Sequence, residues 1–84
     1  MSITSSQIVV DGTPVALATA NGMPLEVHIH AKGSVYVGNA SVSTSNGLQL
    51  DNGDKITFTV PDGSALYAVA AQGTVTVGVL VAVL

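Results

Sequence analysis

The stretch TVTVGVLVAVL, residues 74–84, decides the fold class of this chain. It contains no charge and no proline, and β-branched residues fill most of it, which is typical of a β-strand covered on both faces. Alternation places all of its valines on one face, which suits a sandwich core. The other face begins polar and ends apolar, at Leu80, Ala82 and Leu84. A glycine inside a strand often marks a bulge or a close backbone approach, and we expect one of these at Gly78.

The chain has few means of sheltering that second face alone. A domain of this size buries only about 60% of its unfolded surface, and small folds usually add disulfides, a metal or subunit contacts. No cysteine is present, so association is the device that remains. We therefore predict a subunit interface formed by Leu80, Val81, Ala82, Val83 and Leu84. The alternative is a central strand buried within one subunit.

Charge is scarce in this sequence. Only 8% of the residues are charged, against about 25% in an ordinary soluble domain, and such a surface suits a protein docked against neighbours. The net charge of −3 and the lack of arginine leave phosphate little to bind, so nucleic acid is not an expected partner. The longest apolar run is shorter than the roughly 18–20 residues that span a bilayer, and the amino terminus lacks the features of a secretory signal. We expect synthesis in the cytoplasm, no membrane partner and no cofactor.

Short alternating segments separated by turn residues run through the whole chain, and none shows the apolar spacing of a helix. Dipeptides such as Asn21-Gly22, Asn46-Gly47 and Asp62-Gly63 mark the turns. The sequence therefore predicts one all-β domain over residues 1–84, a compact β-sandwich or jelly-roll-like barrel of about eight short antiparallel strands. Residues 1–6 are uncharged and mostly polar, and such an arm either stays flexible or orders on a neighbour.

Local turn signals also predict how some strands pair. The strands at residues 25–30 and 35–38 are separated by Lys32-Gly33, which predicts a β-hairpin. The last two strands, on either side of Gln72-Gly73, predict a second hairpin. Alternation also directs Phe58 into the core.

Two histidines are the candidates for a metal site. His28 and His30 share one face of a strand, and three subunits around a threefold axis could supply six such ring nitrogens. The other interpretation is a pair of surface or interface imidazoles, with Glu26 as a partner. Two histidines without further ligands nearby are a weak pattern, so we assign no metal.

Other polar residues are interpreted as structural. Asp51, Asp54 and Asp62 do not match the spacing of a calcium-binding loop and are expected to satisfy backbone donors in turns. Because no spacing of nucleophile and base stands out, we predict no catalytic residue and no enzyme. The only tyrosines, Tyr36 and Tyr67, are expected at the sheet surface, where they could contact a partner.

The carboxyl-terminal half resembles a known class of small modules. The pattern consists of VYVG at residues 35–38, Val42, Asn46-Gly47, Leu50, Gly53-Asp54, LYAV at residues 66–69 and GTVTV at residues 73–77. It is similar to small all-β modules in virion proteins of tailed bacteriophages, including capsid decoration and fibre-base proteins. The resemblance implies a β-sandwich that assembles as a homotrimer and clamps subunits of the major capsid protein where capsomers meet. It brings no catalytic residue to this chain.

The leading functional prediction is a structural virion protein, a capsid decoration or cementing subunit that binds and stabilises the phage head shell. An alternative is a glycan- or receptor-binding module of a phage tail or fibre, with Tyr36 and residues 41–46 as the contact surface. A third is a domain that pairs with another protein through its edge strands, outside any virus. For the first two, the predicted location is the virion, after synthesis in the host cytoplasm.

Overall fold

The structure, a computed structural model, describes residues Ile3–Val83, which form eight β-strands. The strands are β1 (Ile3–Val10), β2 (Val15–Thr19), β3 (Leu25–Ala31), β4 (Val35–Gly38), β5 (Leu48–Leu50), β6 (Lys55–Val60), β7 (Ala65–Ala70) and β8 (Val75–Val83). The described residues contain no helix long and apolar enough to cross a membrane.

The strands form two four-stranded antiparallel sheets. Sheet A has the order β1-β8-β3-β6, and sheet B has the order β2-β7-β4-β5. Every connection except the one between β4 and β5 passes from one sheet to the other, which is the strand order of an eight-stranded jelly roll. The predicted all-β sandwich of about eight strands is confirmed.

Both predicted hairpins are wrong, because their strands lie in different sheets. β3 pairs with β6 and β8, whereas β4 pairs with β5 and β7. The short connection after β3 crosses the sandwich, and the amide of Lys32 donates to the carbonyl of Thr76 at 3.2 Å. β7 and β8 are divided between the sheets in the same way. Alternation identifies a strand and its two faces, but a short connection can either close a hairpin or cross to the facing sheet.

The core lies between the inner faces of the two sheets and consists of aliphatic side chains. Its buried members are Val10, Leu17, Ala18, Ala20, Leu25, Val27, Ile29, Ala31, Val35, Val37, Leu50, Val60, Leu66, Ala68, Ala70, Val77 and Val79. The remaining valines of β8 are partly buried against this cluster. The valine face of the closing strand therefore packs on the core as predicted.

β8 is a central strand with both of its edges paired. β1 runs along one edge and β3 along the other. Both ladders pass through Gly78 without a shift in register, and a Cβ added there would meet nothing nearer than 3.8 Å. The expected bulge or close approach at Gly78 is therefore wrong. The chain itself covers the edges and the inner face of its most apolar strand.

The amino-terminal segment contributes to this arrangement. Of residues 1–6, Ile3–Ser6 are strand residues of β1 that pair with β8, and Met1 and Ser2 lie outside the described residues. The side chains of residues 3–7 are all exposed. β1 is thus an edge strand that shields one side of β8 while remaining open to solvent.

Phe58 is a further correction to the sequence prediction. It lies opposite Val27 on the inner face of sheet A, yet 47% of its surface is exposed. β6 is an edge strand, and β5, the edge strand of sheet B that borders the same cleft, is only three residues long. The sheets therefore leave this side of the sandwich incompletely covered.

Candidate functional site

The candidate site is the outer face of sheet A, which all four strands of that sheet build. Directly opposed residues of antiparallel strands share a face, so the registers define this surface. It consists of Ile3, Ser5, Gln7 and Val9 from β1, Thr76, Gly78, Leu80 and Ala82 from β8, Glu26, His28 and His30 from β3, and Lys55, Thr57 and Thr59 from β6. One half, on β1 and β8, carries the apolar side chains of this face, which are Ile3, Val9, Leu80 and Ala82, together with the polar Ser5, Gln7 and Thr76, and we call it the apolar half. The other half, on β3 and β6, presents only polar side chains and is called the polar half.

His28 is held by hydrogen bonds at both ring nitrogens. Its Nε2 lies 3.2 Å from Oε1 of Glu26, and its Nδ1 lies 2.9 Å from Oγ1 of Thr57. An ionised carboxylate can only accept, so the proton of the neutral imidazole belongs on Nε2, and the Thr57 hydroxyl donates to Nδ1. The predicted interaction of a histidine with Glu26 is present. Thr57 is a partner that the sequence did not indicate, because it lies on β6.

Thr57, His28 and Glu26 place a hydroxyl, an imidazole and a carboxylate in a row, but all three side chains are exposed to solvent. The side chains of His28 and Glu26 are 49% and 42% exposed, so water competes with each contact. The contacts fix the orientation of the imidazole, which leaves an ordered polar surface that can hydrogen-bond to a partner. This polar half is suited to recognition of polar groups on another molecule.

A shallow depression lies beside these residues. Gly78 has no side chain, and the gap that it leaves is bordered by His28, His30, Lys55 and Leu80. The depression encloses about 300 Å³. His30 lies opposite Lys55 and Gly78 in the two ladders, so a cation and an imidazole flank its floor.

The predicted metal candidates do share this face. His28 and His30 are two residues apart on β3, and both project from the outer face of sheet A. Within residues 3–83, no group of three or more histidine, cysteine, aspartate or glutamate side chains is placed to hold a metal ion. A metal at His28 would also have to displace Glu26 or Thr57 from a ring nitrogen.

The predicted interface residues lie in two environments. Leu80 is 42% exposed on the outer face, next to the half-buried Ala82. Val81 and Val83 are also half-buried but pack against the core. Leu84 lies outside the described residues. Of the described members of this set, only Leu80 and Ala82 are therefore placed to meet a neighbour.

Two further apolar residues extend this surface. Ile3 and Val9 are 69% and 60% exposed and project from the outer face on β1. The sequence did not indicate Ile3, because residues 1–6 were expected to form an arm. Val9 was predicted to lie in a strand, but no face was assigned to it. The period-2 spacing of residues 3, 5, 7 and 9 could have shown that these side chains share one face.

The two tyrosines lie on the opposite side of the molecule. Tyr36 and Tyr67 are half-buried on the outer face of sheet B, where they pair with Val69 and Gly38, respectively. The two rings are therefore diagonal neighbours. Between them the sheet surface is formed by one glycine and one buried valine.

The loop between β4 and β5 packs beside Tyr36. Val42 is buried outside the main core cluster and leaves no room for a side chain at Gly47, where an added Cβ would lie 2.7 Å from Cβ of Tyr36. The loop also bonds to itself, because Oδ1 of Asn46 accepts from the amide of Ser43 at 2.8 Å. The polar atoms that a glycan would need are in part used to fold the loop.

Of the three turn acids, Asp54 satisfies a local backbone donor as predicted, whereas Asp62 accepts from a distant backbone amide and Asp51 accepts from a side chain. Asp54 accepts from the amide of Asp51 at 2.8 Å through Oδ2, and Asp62 accepts from the amide of Gly22 at 2.8 Å through Oδ1. Asp51 itself accepts from the side chain of Gln49 at 3.1 Å. The contact of Asp62 joins two loops that are far apart in the sequence.

An apolar cleft opens where the two sheets part at β5 and β6. It encloses about 340 Å³, and Leu48, Phe58, Val60, Pro61 and Leu66 are among its lining residues. Leu48 and Phe58 project from the inner faces of the two edge strands but are largely exposed. The sequence did not indicate this cleft, because its opening depends on the length of β5 relative to β6.

Comparison of the chain with protein-family models found no match, and comparison with curated proteins found none either.

Proposed function

We propose that this protein is a structural virion subunit, a capsid decoration protein that binds and stabilises the shell of a phage head. The observation that carries the proposal is the apolar half of the outer face of sheet A. Ile3 and Leu80 are exposed there beside Ala82, and Val9 is exposed at the far end of β1, opposite Thr76. Exposed apolar side chains on one face of a small domain suit contact with another protein. The ordered polar half beside it supplies hydrogen-bonding groups at the rim of the same surface.

Two further features support the proposal. The jelly roll is an architecture of viral capsid and lectin domains, which favours the proposal by analogy of fold. The chain is also poor in charge, with 8% charged residues. A docked subunit buries part of its surface, and charge is depleted from the centres of protein interfaces.

A decoration protein would act through the number of its copies. Each copy covers a modest area of shell, and many symmetric copies together hold neighbouring capsid subunits in place. In this proposal the outer face of sheet A meets the major capsid protein. The protein itself is a homo-oligomer, for which the resemblance to phage modules suggests a trimer.

The proposal is tested on virus particles. Particles from the host that carries this gene are compared with particles from a strain in which the gene is deleted. We expect the protein in stoichiometric amounts on the shell, and shells without it should release their contents at lower temperature. Particles that lack the protein in the unmodified strain would contradict the proposal.

A variant pair tests the surface itself. Leu80→Asp places a charge in the apolar half of the outer face and should abolish rebinding to shells that lack the protein. Met23→Asp is the matched control, because Met23 is also exposed but lies in the loop between β2 and β3. Equal loss of binding in both variants would indicate a general effect of charge rather than contact through sheet A.

A receptor-binding module of a phage tail or fibre is the second candidate. The observation that favours it is that Tyr36 and Tyr67 share the outer face of sheet B, since aromatic rings are common platforms for sugar binding. Binding to a glycan array that is lost in Tyr36→Ala would support this function. If Tyr36→Ala still binds to shells, the result would instead support the function of a capsid decoration protein.

A further inference from the structure

The free edge of β1 differs from the other three sheet edges of the sandwich. Exposed edges can pair with other chains, and proteins blunt them with short strands, charges, prolines or bulges. β5 is three residues long, and β6 begins at Lys55 and is followed by Pro61. β2 follows Pro14 and has a register shift between Ala16 and Ala18.

β1 has none of these protections. It is eight residues long, ITSSQIVV, without charge or proline. Its register with β8 is unbroken from Ile3↔Ala82 to Val10↔Val75. Along its other edge, no strand formed by residues 3–83 pairs with it. Alternate residues of an antiparallel strand direct their N–H and C=O groups to that side, where they are available to a new partner.

We propose that β1 pairs antiparallel with β1 of a second copy of this chain, about a twofold axis at Ser6. A continuous sheet requires outer-facing residues to oppose outer-facing residues, and every twofold axis through a residue of β1 meets this requirement. Among these registers, the axis at Ser6 is the one that opposes Ile3 to Val9 and Ser5 to Gln7. Ile3 and Val9, the most exposed large apolar residues among those that the structure describes, thereby cover each other at both ends of the new pair.

The second copy fits this edge better than a partner of different composition. The strand is self-complementary in this register, with apolar residues opposite each other and polar residues opposite each other on the outer face. It carries no charge that would oppose a like charge in a symmetric pair. The two copies would form one eight-stranded sheet, in which β1 is no longer an edge. A twofold contact of this kind gives a dimer and cannot by itself close a trimer.

A single engineered cysteine tests the register. The chain has no cysteine of its own, so Ser6→Cys introduces the only thiol. In the proposed pair the two residues at position 6 lie directly opposite, with Cα atoms about 4.5–5.5 Å apart, which is within disulfide range. We expect nearly complete cross-linking under mild oxidation, to twice the chain mass of 8.4 kDa.

Thr4→Cys is the matched control. Position 4 would oppose position 8 of the second copy, so two residues at position 4 are offset by four residues, or about 13 Å. We expect little cross-linking of Thr4→Cys alone and efficient cross-linking when it is mixed with Ile8→Cys. Equal cross-linking of Ser6→Cys and Thr4→Cys, or preferential cross-linking of Gln7→Cys, would overturn the register.

Charge variants test the association without a covalent bond. Ser6→Lys and Ser6→Glu each place like charges opposite one another, and each should be monomeric by light scattering while remaining folded. An equimolar mixture should dimerise again, which a merely structural effect at Ser6 would not produce. Thr19→Lys, at the exposed edge strand β2, should leave the native dimer unchanged.

The unmodified protein supplies the remaining outcomes. A dimer whose population rises with concentration supports the proposal. A monomer at several hundred micromolar, or a trimer that resists Ser6→Lys, would overturn it. The result is independent of shell binding, because each measurement uses the purified chain alone.

Discussion

Phe58 lies directly opposite Val27 on the inner face of sheet A, but the two side chains have different surroundings. Val27 is fully buried, whereas 47% of Phe58 is exposed. The pair spans the boundary between the closed core and the cleft beside β5 and β6. The larger of the two apolar side chains is therefore the one that the fold covers less well.

We expect Val27→Ala to destabilise the protein more than Phe58→Ala does. Val27→Ala removes two buried methyl groups and leaves a cavity, at a cost of about 2–3 kcal/mol. Phe58→Ala removes a half-exposed ring, at a cost of about 1–1.5 kcal/mol. Urea unfolding at one protein concentration measures both, with equal slopes as the check that the unfolded states are comparable. A larger loss for Phe58→Ala would mean that the cleft is closed in solution.

A pair of glycine substitutions separates close packing from open space. Gly47→Ala would place Cβ 2.7 Å from Cβ of Tyr36 and 2.8 Å from Cγ2 of Val42, and we expect a loss of about 1–3 kcal/mol. Gly78→Ala meets nothing nearer than 3.8 Å and should stabilise β8 by about 0.5 kcal/mol, since glycine weakens a strand interior. Thermal unfolding measures both. Equal effects would contradict the packing of the β4–β5 loop on Tyr36.

The strands themselves could be predicted, but their partners could not. Alternation in β3 and β8 is a local property, and it gave the correct faces for both strands. Pairing of β1 with β8 joins the two ends of the chain, and no local pattern specifies such a contact. For the same reason, the connection after β3 suggested a hairpin although it crosses between sheets. The closing strand is sheltered because the chain supplies both neighbours, so the unprotected edge is β1 instead.

Only the part of the candidate site that lies on a single strand could be predicted from the sequence. The shared face of Glu26, His28 and His30 follows from their spacing on β3. Thr57 reaches His28 only through the register of β3 with β6, which no feature of the sequence gives. The exposure of Ile3 and Val9 likewise depends on their place on the outer face of sheet A, which the register of β1 with β8 fixes.

Asp62 should stabilise the contact between two loops at one end of the sandwich. Its Oδ1 accepts from the amide of Gly22, and the adjacent amide of Gly63 donates to the carbonyl of Ala20 at 3.0 Å. Asp62→Ala removes the acceptor and should cost about 1 kcal/mol, with faster hydrogen exchange at the amide of Gly22. Asp62→Asn keeps a carbonyl acceptor and should retain most of the protection. Unchanged exchange in Asp62→Ala would show that this contact is not populated in solution.

The hydrogen bonds of His28 predict its tautomer. Glu26 can only accept, so the neutral ring should carry its proton on Nε2 and accept the Thr57 hydroxyl at Nδ1. Nitrogen-15 shifts of the neutral imidazole distinguish the two tautomers. Thr57→Val should leave the proton on Nε2, because Glu26 still requires a donor. Glu26→Gln should broaden the preference, because an amide can donate as well as accept. If the native protein carries the proton on Nδ1, the predicted tautomer is wrong, and His28 cannot donate to Glu26 through Nε2.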